Sequence, residues 1–263
     1  MKHGLSSLLA LVVMGSLALG MGMPRTRAAA HAGDVDTGAY GAATLAAVGG
    51  SMTSGAVAIY RQAGGVVVAV SFSGLKPKSV HPEHIHAGAC GSNGPVKFPL
   101  PNLVADAKGT AVAVISIKAS SVPKSGWYVN VHSSAQDLSV IACGAVHQVG
   151  MDIDLKATGT GTGSGLGLLT KTSKGTEVIV YVTHLGIAGV HPEHLHAGAC
   201  GSNGPVKFPL SNLVTNSKGD GVSATMIKGS VPMTGLYINV HTSPSDLSVV
   251  ACGNLGGKST FGG

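Results

Sequence analysis

The chain has 263 residues with 17 basic and 11 acidic side chains, a net charge of +6, 44% hydrophobic and 4% aromatic residues. That length suits two domains of about 100–150 residues. A charged fraction of 11% alongside ample Val, Ile, Leu and Ala excludes a disordered chain, and the single long apolar run, at the very start, excludes a multi-spanning membrane protein.

Residues 1–32 have the layout of a secretory signal peptide. Lys2 and His3 precede an apolar stretch from Leu5 to Leu19, and Ala28-Ala29-Ala30-His31-Ala32 supplies a small-residue cleavage site. Cleavage is expected after Ala32, with Ala30 as the alternative. An uncleaved anchor is the rival reading, but the apolar part is shorter than the roughly 20 residues a span requires. Removing Lys2, Arg25 and Arg27 leaves 14 basic against 11 acidic groups, a net of +3. The remaining lysines are scattered and stacking aromatics are scarce, so no nucleic-acid surface is expected. The predicted location is secreted, periplasmic or cell-envelope, with no membrane contact beyond the cleaved peptide.

Beyond residue 32 the chain reads as short strands. GAVAIY (55–60), VVVAVSFSGL (66–75), TAVAVISI (110–117), WYVNVH (127–132) and SVIACGAV (139–146) are rich in Val and Ile and separated by Gly, Pro, Ser and Lys. No segment sustains a capped helical period over three turns. The pattern then repeats. HPEHIHAGACGSNGPVKFPL (81–100) recurs as HPEHLHAGACGSNGPVKFPL (191–210), with one difference in twenty positions. SGWYVNVHSS (125–134) recurs as TGLYINVHTS (234–243), and DLSVIACG (137–144) as DLSVVACG (246–253). Residues 41–80 and 151–190 have drifted much further apart. Two homologous all-β domains, 33–149 and 150–263, are predicted, each a sandwich or Greek-key barrel. Gly-rich 158–167 falls within the second copy, as a strand and turn rather than a linker.

Each copy carries two cysteines, Cys90 and Cys143 in the first, Cys200 and Cys252 in the second. Duplication favours pairing within a copy, since each domain had to fold before it was doubled, and export supplies the oxidising compartment. A metal thiolate is the rival, disfavoured because no Cys-x-x-Cys pair occurs. Eight histidines form matched pairs: His81/His191, His84/His194, His86/His196 and His132/His241; His147 and His184 are unmatched. In an extended strand His84 and His86 share a face, and His132 ends a separate strand, so three imidazoles could converge on a metal such as copper or zinc. Surface histidines, or histidines satisfied inside the core, are the alternative. Glu83, between them in sequence, faces the other way and is expected to be a solvated charge, or else a partner that orients a histidine.

Together these residues resemble the copper/zinc superoxide dismutase family, an eight-stranded Greek-key barrel. The likeness rests on SGLKPKSVHPEHIH and THLGIAGVHPEHLH, on Cys90 with IACGAV and Cys200 with VACGNL, and on VHSSAQDL and VHTSPSDL. It implies that His84, His86 and His132, and likewise His194, His196 and His241, bind copper. His81 and His191 would support the structure without binding metal. It also implies the Cys90–Cys143 and Cys200–Cys252 bridges.

The departures are plain. The family's zinc loop is replaced by GSNGPVKFPLPNLVADAKG, which contains no histidine, so no zinc site and no bridging ligand are expected. Val140 and Val249 stand where the family has its guiding arginine, leaving Lys97 and Lys207 as partial substitutes for anion steering. Three functions follow from this reading. The first is a secreted copper protein dismutating superoxide to oxygen and peroxide, the second a non-catalytic copper-binding or storage module. The third is a structural extracellular β-domain of the chordin type, with the histidines satisfied by backbone carbonyls.

Overall fold

The computed structural model describes residues 36–62, 65–118, 125–159, 162–186 and 188–256. The predicted leader, residues 1–32, lies outside the described residues. No helix among the described residues is long and apolar enough to cross a membrane.

Both copies are β-structure within one compact unit, residues 33–263. The first contains β1 (Asp36–Ala47), β2 (Ser54–Gln62), β3 (Gly65–Ser73), β4 (Val80–Ala87), β5 (Val96–Val104), β6 (Ala111–Ile117), β7 (Trp127–His132) and β8 (Val140–Val146). They form one antiparallel sheet in the order β5-β4-β7-β8-β1-β2-β3-β6. The second contains β9 (Met151–Ala157), β10 (Ser164–Thr172), β11 (Gly175–Thr183), β12 (Gly189–His191), β13 (Glu193–Ala197), β14 (Val206–Pro209), β15 (Leu213–Thr215), β16 (Gly221–Ile227), β17 (Leu236–Ser243) and β18 (Asp246–Asn254). Its order is β12-β15-β16-β11-β10-β9-β18-β17-β13-β14. The result is two tandem barrel-like sheets.

Each sheet curls around its own core. Val57, Ile59, Val68, Val70, Phe72, Ile85 and Val131 fill the first, and Leu155, Val178, Val180, Leu195, Ile238 and Val240 the second. These are alternate residues along their strands, because successive side chains point to opposite faces.

β3 and β11 depart from the half-buried pattern: almost every residue is buried on both faces. The outer faces of the two sheets pack on each other. Ala56, Ala58, Tyr60, Val67 and Ala69 of the first copy cluster with Leu166, Leu168, Ile179, Tyr181 and Val222 of the second. The alanines let the sheets approach closely. Tyr60 and Tyr181 face each other there, ring centroids 4.9 Å apart, with their hydroxyls hydrogen-bonded.

Segments 96–104 and 206–209, not among the strands read from the sequence, form β5 and β14, which lie at the ends of their sheets. Two prolines in VKFPLPNLV are tolerated because an edge strand can lack a ladder donor.

Candidate metal centre

The site is built from two neighbouring strands. β4 pairs with β7 so that His84 lies opposite Asn130 and His86 opposite Tyr128. Alternation puts Glu83 and Ile85 into the barrel and His84 and His86 on its outer face. His132 ends β7, two residues beyond Asn130, and joins them. One ring nitrogen from each of the three histidines lies within 4.8 Å of the others, and His194, His196 and His241 repeat the cluster.

Hydrogen bonds decide which nitrogen is offered. His86 donates from Nδ1 to the Gly94 carbonyl at 2.8 Å, and His132 donates from Nδ1 to the Leu138 carbonyl at 2.7 Å. A carbonyl only accepts, so in both rings Nε2 is left with its lone pair. His84 presents Nδ1, which lies 3.1 Å from His132 Nε2. The second copy has the same bonds: His196 to Gly204 at 2.8 Å, His241 to Leu247 at 2.7 Å, and His194 Nδ1 to His241 Nε2 at 3.1 Å. His86 Nε2 and His196 Nε2 are buried with no hydrogen-bond partner, an expensive state for a ring nitrogen unless something else engages it.

Burial, then the neighbouring rings, lower the pKa of His84 and His194 below the ordinary imidazole value. Burial also lowers His241, against the opposing bond to Leu247. Neutral imidazoles are the form that ligates. Nitrogens bound at 2.0–2.1 Å to one ion stand roughly 3.3–3.6 Å apart, so a pair at 3.1 Å is close to that spacing. With all three nitrogens within 4.8 Å of one another, the group could hold a metal ion once the wider pairs draw in.

His81 and His191 are buried pins. His81 donates from Nδ1 to the His132 carbonyl at 2.9 Å and meets Ser79 at Nε2. His191 holds the His241 carbonyl at 2.9 Å and Thr215 Oγ1 at 3.0 Å. With both ring nitrogens engaged, each fixes the backbone of a cluster histidine. Cys90–Cys143 and Cys200–Cys252 are disulfides with Cα atoms 5.9 and 6.0 Å apart. Each ties the loop carrying Gly94 or Gly204 to the strand beside β7 or β17. Lys97 and Lys207 are exposed on β5 and β14.

The expectation of a solvated Glu83 is corrected. It is fully buried, with neither carboxylate oxygen hydrogen-bonded, and burial pushes its pKa up to about 8. The face opposite the histidines is the core, not water. Glu193 is equally buried and its pKa is raised by burial, although Ser223 donates to Oε2 at 2.6 Å.

Sequence reasoning passed over Tyr128 and Tyr237. Tyr128 stacks on His86 with centroids 4.9 Å apart and planes 15° from parallel, and its hydroxyl accepts from Gly94 N–H at 2.9 Å. Tyr237 stacks on His196 at 5.1 Å and 23° and accepts from Gly204 N–H at 3.0 Å. Their recurrence at matching places in both copies was the available signal.

A family model described as the CHRD domain matches residues 32–141 and again residues 151–246. No curated protein matches the chain. The double match overturns the resemblance to copper/zinc superoxide dismutase, and with it the family support for copper and for oxidoreductase chemistry. The physical reason is that the shared landmarks, an antiparallel barrel, a disulfide and clustered imidazoles, describe a scaffold and not a reaction. Two tandem CHRD domains agree with the alternative of a chordin-type β-domain better than with a dismutase.

Proposed function

The chain belongs to the CHRD domain family, and from that premise we propose an extracellular, non-catalytic tandem β-module in which each copy holds one late first-row divalent ion. His84 Nδ1, His86 Nε2 and His132 Nε2 hold it in the first copy, and His194 Nδ1, His196 Nε2 and His241 Nε2 in the second. The observation that carries this reading is the buried, unpartnered Nε2 of His86 and of His196, aimed among two further ring nitrogens. Imidazole donors suit copper, zinc and nickel and disfavour calcium and magnesium, which take oxygen ligands. Bound there, the ion cross-links β4 to β7 and β13 to β17.

Two further parts of the proposal have their own support. The strand orders, in which β4 follows β3 in sequence but lies across the sheet from it, favour a Greek-key connectivity. The two disulfides and the leader-like residues 1–32 favour an oxidising location outside the cytoplasm.

Calorimetric titration of the oxidised protein with copper(II), zinc(II), nickel(II) and calcium(II) tests the site. Two equivalents of the imidazole-preferring ions per chain are expected, one with His86→Ala, and none with His86→Ala and His196→Ala combined. Absence of stoichiometric binding by any ion overturns the reading.

A further inference from the structure

The tyrosine beside each site closes a ring of contacts that nothing in the ligand set itself explains. Starting from His86, Nδ1–H is held by the Gly94 carbonyl at 2.8 Å. The amide N–H of that same residue is held by Tyr128 Oη at 2.9 Å. The ring of Tyr128 then lies flat on His86, 4.9 Å between centroids. His196, Gly204 and Tyr237 form the same closed circuit, at 2.8, 3.0 and 5.1 Å. Tyr128 and Tyr237 are both 1% exposed, so neither hydroxyl competes freely with water.

Glycine is required at the hinge of the circuit. A Cβ on Gly94 would lie 1.7 Å from the Ala87 carbonyl oxygen, and one on Gly204 1.7 Å from that of Ala197. The loop can therefore pass this close to the strand only with hydrogen at that position. The loop is closed further by Ser92, whose Oγ accepts from Ala89 N–H at 3.1 Å, and by the Cys90–Cys143 bridge. What these parts fix in common is the direction of one lone pair, that of His86 Nε2.

We infer that Tyr128 and Tyr237 are positioning residues that lock His86 and His196 in the Nδ1-protonated tautomer and rotamer required to present Nε2 to an ion. The inference rests on the proposed trihistidine site and adds a prepared donor: the third nitrogen is in place before any ion arrives. Removing the hydroxyl frees Gly94 N–H, loosens the carbonyl that holds Nδ1 and lets the imidazole turn. Partners of this kind, which orient a ligating histidine, typically change metal affinity by about 10- to 100-fold.

The test uses cobalt(II) as the probe, because its visible absorption reports coordination geometry, together with zinc(II) competition. Three proteins are compared: the wild type, Tyr128→Phe with Tyr237→Phe, and Tyr128→Leu with Tyr237→Leu. Phenylalanine keeps the stacked ring and loses the hydroxyl bond; leucine loses both. The expected result is zinc affinity weakened about 10- to 100-fold by the Phe pair and further by the Leu pair, with an altered cobalt spectrum in both. Unchanged affinity and spectrum in the Phe pair, with a wild type that binds two ions, overturns the positioning role and leaves the site intact. A wild type that binds neither ion overturns the site itself.

Trp127, the only tryptophan, precedes Tyr128, so its emission follows the first copy alone. Should a tyrosine variant fail to fold, the ion-free wild type decides the question through nitrogen-15 spectra of its imidazoles. His86 and His196 are expected as the Nδ1–H tautomer, with that proton protected from exchange. Nε2–H as the major form overturns the inference.

Discussion

A carboxylic acid with no hydrogen bond in a hydrophobic core is a cost that the rest of the barrel must offset. Glu83 is such a group, and its counterpart Glu193 differs by a single contact, since Ser223 reaches Glu193 whereas Ala113 occupies the equivalent place in the first copy. The difference makes the two positions a natural comparison. Glu83→Met, which keeps the length of the side chain and removes both oxygens, is expected to stabilise the first copy by about 1–3 kcal/mol. Glu193→Met leaves the Ser223 hydroxyl unpaired and should gain less. Thermal melts of the two variants side by side check this; equal shifts would show that the serine bond is immaterial. Strand alternation correctly predicted that Glu83 opposes the histidines. That the opposite face was core and not solvent could not be read from HPEHIH, because it depends on how the sheet closes.

Strands show where local pattern suffices and where it does not. β2, β3, β6, β7 and β8 were legible because Val and Ile mark them. β1 is largely Ala and Gly, and β2 and β8 on either side hold it in place. β5 hides behind its prolines. The clustering of His84, His86 and His132 was suggested by two-residue spacing on one strand and the end of another, but the loop that orients them was not. That loop leads to a further expectation. Gly94→Ala must displace the chain from Ala87, moving the carbonyl off His86 and breaking the Tyr128 bond. Ion stoichiometry should fall from two to one per chain, with a loss of about 2 kcal/mol in the ion-free protein, in line with strain at a special backbone position. Equilibrium dialysis and denaturant unfolding together report both quantities.

Across the whole molecule, the uneven drift of the copies has a structural correlate. The near-identical segments carry the histidine clusters, and the diverged ones supply β2, β3, β10 and β11, which meet between the copies together with Val222 of β16. There Glu177 of the second copy accepts from Thr44 and pairs with His147 of the first. The hydrogen bond to Glu177 raises the pKa of His147, against its burial. Burial would raise Glu177, but its bonds to His147 and Thr44 outweigh that and hold it below its ordinary value. A raised histidine stabilises fully below its ordinary 6.5 and loses that contribution as pH climbs through the shifted value. A lowered glutamate stabilises above its ordinary 4.5 and loses that contribution as pH falls through its own. The pair therefore contributes most between about pH 4.5 and 6.5, on the order of 1–2 kcal/mol given the partial exposure of His147. Melting curves of the wild type and Glu177→Gln across pH 4–9 should diverge most in that window and converge above it. Parallel curves would show that the pair is thermodynamically silent.

The contact between the copies also changes what joining them accomplishes. Tyr60, Val67 and Ala69 on one side and Ile179, Tyr181 and Val222 on the other form one buried cluster where the copies meet. Held in one chain, the two faces meet at an effective concentration set by a connection of a few residues, in the millimolar range for short tethers. Separated at residues 148–150, they would have to find each other at the dilution of free chains, each carrying an apolar face prone to self-association. Covalent continuity thus substitutes for binding strength: a contact of moderate intrinsic affinity suffices, and its residues could change while those around the imidazoles stayed nearly the same.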